Sequence, residues 1–199
     1  MNENILEKIK ETYLNHGKQK TYKHVVDVMH VALKIAKKYD LDENKCIMAS
    51  LLHDISAIMS PDDMYLLAKK RHMEIDEAEE KYHFLLHQRI SKIIAREIFF
   101  VEDKDVLSAI ECHTTLKKDA NDYDKVVFLA DKLAWDQDGI PPYYDKLIKA
   151  IEVSLDNGCY CFIKYQFDNK QLLMPHKWLI EAYQELSQKC SKNDNYECW

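Results

Sequence analysis

Glycine and proline are scarce in this chain of 199 residues, at three and four. A β-rich fold draws on those residues for its turns, so the composition leans helical. No stretch approaches the run of about 18 apolar residues that a membrane span requires, and none is expected to cross a bilayer. The start, Met-Asn-Glu-Asn-Ile-Leu-Glu-Lys, lacks the cationic segment and apolar stretch of a secretory signal. The six cysteines, at 46, 112, 159, 161, 190 and 198, form no C-x-x-C pair. We read them as reduced thiols of a cytoplasmic protein, with Cys159 and Cys161 as packing residues beside Tyr160 and Phe162. Positive charge is also short, the net charge being −6. That argues against a general nucleic-acid binder, whose affinity comes from neutralising phosphates. It leaves room for a small nucleotide, because a bound divalent cation supplies local positive charge.

Apolar residues make up 47% of the chain, enough for a sizeable core, and they recur at helical spacing. Helices are expected over roughly 3–15, 21–39, 43–54, 61–72, 84–99, 103–113, 126–135, 141–156 and 179–190. Asp42 reads as an N-cap, and Ser60-Pro61-Asp62-Asp63 combines a capping serine, proline at the first helical position and acids at the positive helix end. Residues 73–82 read as acidic and irregular, and Asn157-Gly158 as a turn. Tyr160–Phe167 alternates enough for a short strand, with helix continuation as the alternative.

His53-Asp54 closes the apolar run Cys46-Ile-Met-Ala-Ser-Leu-Leu. An imidazole and a carboxylate on such a face are costly to bury without a partner, and a metal ion is a partner that uses both. His24 lies upstream; His87, His113 and Asp131 lie downstream. Each falls on or beside the apolar face of its own helix: His24 with Val28 and Val31, His53 with Ala49 and Cys46, His87 with Ile90 and Ile94, His113 with Ile110 and Val106, Asp131 with Val127 and Phe128. Any one of these histidines alone reads most simply as a core imidazole bonded to a carbonyl, and either aspartate as a cap or ion pair. The ordered series points to a metal instead. Nitrogen and oxygen donors suit iron, manganese, zinc, cobalt, nickel or magnesium. Such an ion acidifies a bound water and draws charge from a phosphoryl oxygen. Of the other histidines, His16 suits a helix C-terminus, and His30, His72 and His176 read as solvated. His83, one turn before His87, competes with it as a ligand.

The series H…HD…H…H…D resembles the HD superfamily of metal-dependent phosphohydrolases. Tyr22-Lys-His24-Val, Leu51-Leu-His53-Asp54, Leu86-His87, Cys112-His113-Thr114 and Leu129-Ala130-Asp131-Lys132 carry the likeness. Their layout is most similar to the YqeK-type enzymes, which split diadenosine tetraphosphate symmetrically into two ADP. The resemblance implies an all-α HD-domain helical bundle of eight to ten helices over 1–190, with a loose tail at 191–199; to this we add a short β-hairpin near 160–173. It implies a divalent metal, iron first, on His24, His53, Asp54 and Asp131. Asp54, His87 and His113 would be catalytic, with His87 and His113 holding a second ion or the substrate phosphates. Thr114, Lys20 and Lys23 would contact the nucleotide substrate.

The pattern departs from the family at Thr21, where an arginine is usual, at Ala134-Trp135-Asp136-Gln137, where Glu-Pro-x-Arg is usual, and in the loop Met174-Pro175-His176-Lys177-Trp178-Leu179. Two alternatives therefore stay open. One is an HD phosphohydrolase of a mononucleotide or other small phosphate ester, with the aromatic stretch Trp135–Tyr144 walling a different pocket, although core packing is the plainer reading of that stretch. The other is a metal- or nucleotide-sensing module without turnover. A homodimer is compatible with the sequence.

Overall fold

Side-chain caps and left-handed residues, rather than glycines, punctuate this chain. The computed structural model describes residues 3–135 and 139–190. Its helices are α1 (Glu3–Asn15), α2 (Gln19–Lys38), α3 (Glu43–Leu52), α4 (Pro61–Lys70), α5 (Glu77–Lys81), α6 (His87–Glu97), α7 (Lys104–Cys112), α8 (Asp122–Leu133), α9 (Tyr144–Val153), α10 (Leu155–Asp168) and α11 (Lys177–Cys190). Short 3-10 turns at Ile55–Ile58 and His83–Leu86 precede α4 and α6. Asp42, Ser60, Asp76, Asp103, Asn121 and Ser154 each accept a backbone N–H at the start of a helix, satisfying donors that the helix itself cannot. After helices end, Asp40, His72, Phe100, Leu116 and Lys170 take the left-handed conformation usually left to glycine.

The fold is all-α, and no strand occurs among the described residues. The eleven α-helices among the described residues exceed the eight to ten expected, because two stretches are more helical than their sequence suggested. Within the acidic 73–82 segment, Asp76 and Glu79 form a reciprocal capping box that starts α5. The hairpin expected near 160–173 is replaced largely by α10. Ser154 caps this helix through the Asn157 N–H at 3.0 Å, so Asn157-Gly158 lies in its first turn instead of forming a separate turn. Tyr160–Phe167 is the helix continuation, with Cys159, Cys161, Phe162 and Ile163 buried. The expected tail at 191–199 falls outside the described residues.

Two apolar cores share α2 and α8. One gathers Val28, Ala32, Phe128, Leu129, Leu147, Phe162, Ile163 and Leu186. The other gathers Ile9, Tyr13, Val25, Leu52, Leu86, Ile90, Ile110 and Val127. Val126 to Ala130 are all buried, as expected of a helix enclosed on every side. His24 on α2 and Asp131 on α8 therefore stand on helices that both cores hold; the cores also hold α3, through Cys46 and Leu52. Tyr13 adds a buried tie by donating its hydroxyl to the Leu51 carbonyl at 3.1 Å, which anchors α1 beside the end of α3.

Gly158 sets how closely α8, α9 and α10 approach. A Cβ there would lie 2.7 Å from Ile151 Cγ1 and 3.1 Å from Leu129 Cδ1. Overpacking of this kind costs about 1–3 kcal/mol. We expect Gly158→Val to lower the unfolding free energy by about that amount, measured by urea denaturation; an unchanged midpoint would show that the contact can yield.

Candidate metal centre

Three of the four histidines sit at helix ends. His53 follows the last residue of α3, His113 follows the last residue of α7, and His87 opens α6. Each is turned by the same local bond. His53 Nδ1 lies 2.7 Å from Ser50 O, His87 Nδ1 2.7 Å from Phe84 O, and His113 Nδ1 2.9 Å from Ile110 O. A carbonyl can only accept, so each Nδ1 carries the proton and donates it. In each ring that carries no second proton, Nε2 is thereby left as a lone pair.

Those lone pairs converge on carboxylates. His53 Nε2, fully buried and without a hydrogen-bond partner, lies 3.6 Å from Asp54 Oδ2 and 3.7 Å from Asp131 Oδ1. His113 Nε2 and His87 Nε2 stand 3.4 and 3.6 Å from Asp54 Oδ1, and the two ring nitrogens are 2.9 Å apart. His24 Nε2 meets Asp131 Oδ1 at 3.0 Å, while its Nδ1 is buried and unpartnered. Thr114 Oγ1 lies 2.9 Å from His87 Nε2. Acceptors facing acceptors in a buried space require a cation between them. Two overlapping groups have ligand atoms all within 4.8 Å of one another: His24, His53 and Asp131, and His53, Asp54 and His113. Nitrogen and oxygen donors of this kind fit a divalent metal.

The electrostatics agree. Burial alone would push His53 down, but Asp54, with Asp131 and the Ser50 carbonyl, outweighs it and raises the imidazole to about 9. Burial, reinforced by His53 and His87, pushes His113 down to about 4 although Asp54 pulls the other way. Burial would raise Asp54 as well, but His53, His113 and His87 hold its carboxyl well below the usual range. Burial is likewise outweighed at Asp131 by Lys132, His24 and His53. The carboxylates stay charged and the centre demands positive charge, which a second proton on His53 supplies where no metal ion takes its place.

A family model described as the HD domain matches residues 21–136, a span that contains all six residues of the centre. The chain belongs to the HD-domain family. An uncharacterised protein in the pepC 5′ region of Lactococcus lactis subsp. cremoris is 34% identical over 151 residues, covering 76% of this chain and 77% of that protein. The symmetrical bis(5′-nucleosyl)-tetraphosphatase of Halalkalibacterium halodurans is 32% identical over 119 residues, covering 58% of this chain and 62% of that protein. A crystal structure from Clostridium acetobutylicum, named a predicted HD superfamily hydrolase involved in NAD metabolism, superposes with a TM-score of 0.81 at 26% identity, over 92% of this chain and 97% of that one. The protein is an HD-domain hydrolase.

Around this HD centre the other sequence candidates divide. Thr114 joins it. Lys20 and Lys23 are exposed on α2, and none of the distances above involves them. His83 bonds Asp62 at 2.8 Å and stacks on Tyr65, so His87 is the one that reaches the cluster. His30 and His72 are exposed, but His176 is buried, against the solvated reading. Its Nε2 lies 3.6 Å from buried Glu79, which also pairs with Arg89 at 2.7 Å. The position of Glu79 depends on α5, the helix that the acidic composition concealed. The stretch from Trp135 splits. Tyr143 is buried in the core, while Trp135, Ile140 and Tyr144 line a cavity of about 490 Å³ with Asp27 and Val31 of α2. Asp136 and Gln137 lie outside the described residues.

Sequence reasoning passed over three supports of the centre. Lys132 Nζ meets Asp131 Oδ2 at 2.6 Å. The Ser56 hydroxyl donates to the His87 carbonyl at 2.9 Å. Buried Gln88 accepts the Thr114 and Thr115 N–H groups at 3.0 and 3.3 Å and donates to the Thr115 hydroxyl at 3.0 Å. A glutamine between His87 and an apolar stripe was the available signal. Gln88→Leu leaves two buried N–H groups unpaired, at a cost of about 1–3 kcal/mol each. We expect a lower melting temperature together with slower turnover, measured on the same preparation; a stable but fully active variant would detach Gln88 from the positioning of Thr114.

Proposed function

We propose that this HD-domain hydrolase cleaves phosphoanhydride bonds, and that its substrate is diadenosine tetraphosphate, split symmetrically into two ADP. The observation that carries the hydrolytic reading is the convergence of buried imidazole nitrogens and two carboxylates at one place. The substrate rests on relatives named for that activity. His24, His53, Asp54 and Asp131 hold a divalent ion, with iron first by resemblance, and His87 with His113 holds a second ion or the substrate phosphates. A bound ion supplies Lewis acidity, making water more acidic and drawing charge from a phosphoryl oxygen.

The chain's own groups do the rest. Asp54, facing three imidazoles, keeps them oriented toward the reacting phosphate. His87 and His113 present ring nitrogens to phosphoryl oxygens, and Thr114 donates its hydroxyl there. Lys132 fixes the second carboxylate oxygen of Asp131 so that the first remains directed inward. Lys20 and Lys23, on the exposed first turns of α2, neutralise the outer phosphates. We further propose that one domain over 1–190 performs this work, in the cytoplasm.

A second reading, hydrolysis of a mononucleotide or other small phosphate ester, is favoured by one observation. The cavity beside Trp135 and Tyr144 is lined partly by Ala134, where the family's usual sequence is lost. The solved relative's name also points to NAD metabolism.

Product analysis after anaerobic incubation with diadenosine tetraphosphate and ferrous or manganous ion separates the readings. We expect ADP as the sole product, lost on chelation; metal binding without cleavage would favour the second reading, and metal-dependent turnover of any substrate removes the sensing module. We expect Asp54→Ala to lose bound metal and turnover while keeping its far-UV helical signal, and full metal content by elemental analysis would sink that ligand assignment. His87→Ala should keep the first ion and lose about 100-fold or more in turnover, the scale of a group acting directly on the reaction. Unchanged turnover would remove His87 from the site.

A further inference from the structure

A second cavity, of about 540 Å³, opens along α6 and α7 away from the metal centre. That is the size of a small-ligand site, and no residue of the centre lines it. Arg96, which does, stands about 13 Å further along the α6 axis than His87. Four cations border the cavity: Lys92 and Arg96 from α6, Lys104 from the start of α7, and Lys117 from the segment after it. Glu102 and Glu111 line it with them, and Lys117 also faces buried Asp124 at 3.7 Å. In a chain of net charge −6, this groove reverses the overall sign.

Two of the cations are occupied. Lys92 pairs with Glu111 at 2.7 Å, and Lys117 donates to the Ser108 hydroxyl at 2.6 Å. Arg96 and Lys104 are exposed, and no ion pair among the described residues includes either. Phe100 adds an aromatic ring, over which the exposed Lys8 ammonium lies at 5.7 Å from the centroid. It follows the end of α6 at φ +56 while remaining 76% exposed. The Val101 N–H closes the helix end onto Ala95 O at 3.0 Å, a geometry that glycine adopts without strain. A bulky side chain there carries strain and gains little burial, a combination found where side chains serve ligands.

We propose that this groove is a nucleotide-binding site separate from the metal centre. It takes a nucleoside diphosphate or triphosphate. Arg96, with its planar fork of donors, and Lys104 pair with the phosphates, Lys117 borders them, and the base lies against Phe100. The assignment rests on the groove alone and stands whichever substrate the metal centre cleaves.

Calorimetric titration of the full chain with ADP and with inorganic pyrophosphate tests it. ADP binding at the groove should persist in Asp54→Ala, where the metal centre is disabled, and weaken tenfold or more when Arg96→Glu and Lys104→Glu are added to that background. Phe100→Gly, which relieves the left-handed strain and so keeps the fold, should weaken ADP about tenfold while leaving pyrophosphate unchanged. Loss of all ADP binding in folded Asp54→Ala, or an ADP isotherm unmoved by either the charge reversal or Phe100→Gly, overturns the proposal.

Discussion

The centre depends on helix-end carbonyls that take the Nδ1 proton of an imidazole three residues later. The last carbonyls of a helix have no partner within it. At His53 and His113 the chain satisfies one such group with a histidine placed directly after the helix, and at His87 the preceding 3-10 turn provides the carbonyl. One bond thus accomplishes two things. It removes an orphan acceptor and fixes the tautomer that sends Nε2 inward. Because α3 and α7 both end at the centre, their partial negative ends add to the charges of Asp54 and Asp131. The polarity of the whole arrangement favours a cation.

Such a cluster is costly to assemble, since buried unpaired polar atoms each carry a desolvation penalty. The apolar cores provide the offset. α2 and α8 contribute side chains to both, so His24 and Asp131 are held by packing that does not depend on the centre. The close approach at Gly158 keeps α10 against Leu129 of α8, two residues before Asp131. Lys132 then acts over a short range, pairing with Asp131 while its ammonium lies over the Phe128 ring at 5.3 Å from the centroid. The orientation of the centre is local, and its rigidity comes from the cores.

The side chains that converge at the centre were legible in the sequence because histidine and aspartate on an apolar helical face have few inexpensive explanations, and six in series have fewer. Helix starts were legible where a cap announced them, as at Asp42 and Ser60. What escaped depends on contacts between distant segments. α10 reads as alternating because its small and aromatic residues meet three different neighbours, α8, α9 and α11, and the turn signal of Asn157-Gly158 is overridden by the Ser154 cap and by the room that only a glycine leaves beside Ile151. His176 reads as solvated because Glu79, which it faces, is brought there by α5, a helix hidden in an acidic stretch. Gln88 escaped because a single amide has no periodicity to reveal it.

The centre and its surroundings differ in what constrains them. Helix ends and two cores fix the imidazoles and carboxylates, and little can change there without losing the cation. The surrounding residues are held less tightly. Lys20 and Lys23 project from the exposed start of α2, and exposed Ile140 flanks a cavity whose other aromatic walls, Trp135 and Tyr144, pack against the edge of one core. Substitution at Lys20, Lys23 or Ile140 carries no comparable cost in folding. On the proposed reading, a centre of this composition would recognise a phosphoryl oxygen and be indifferent to the group beyond it. Reaction class would then be encoded in the part of the chain that packing constrains, and choice of substrate in the part it leaves free.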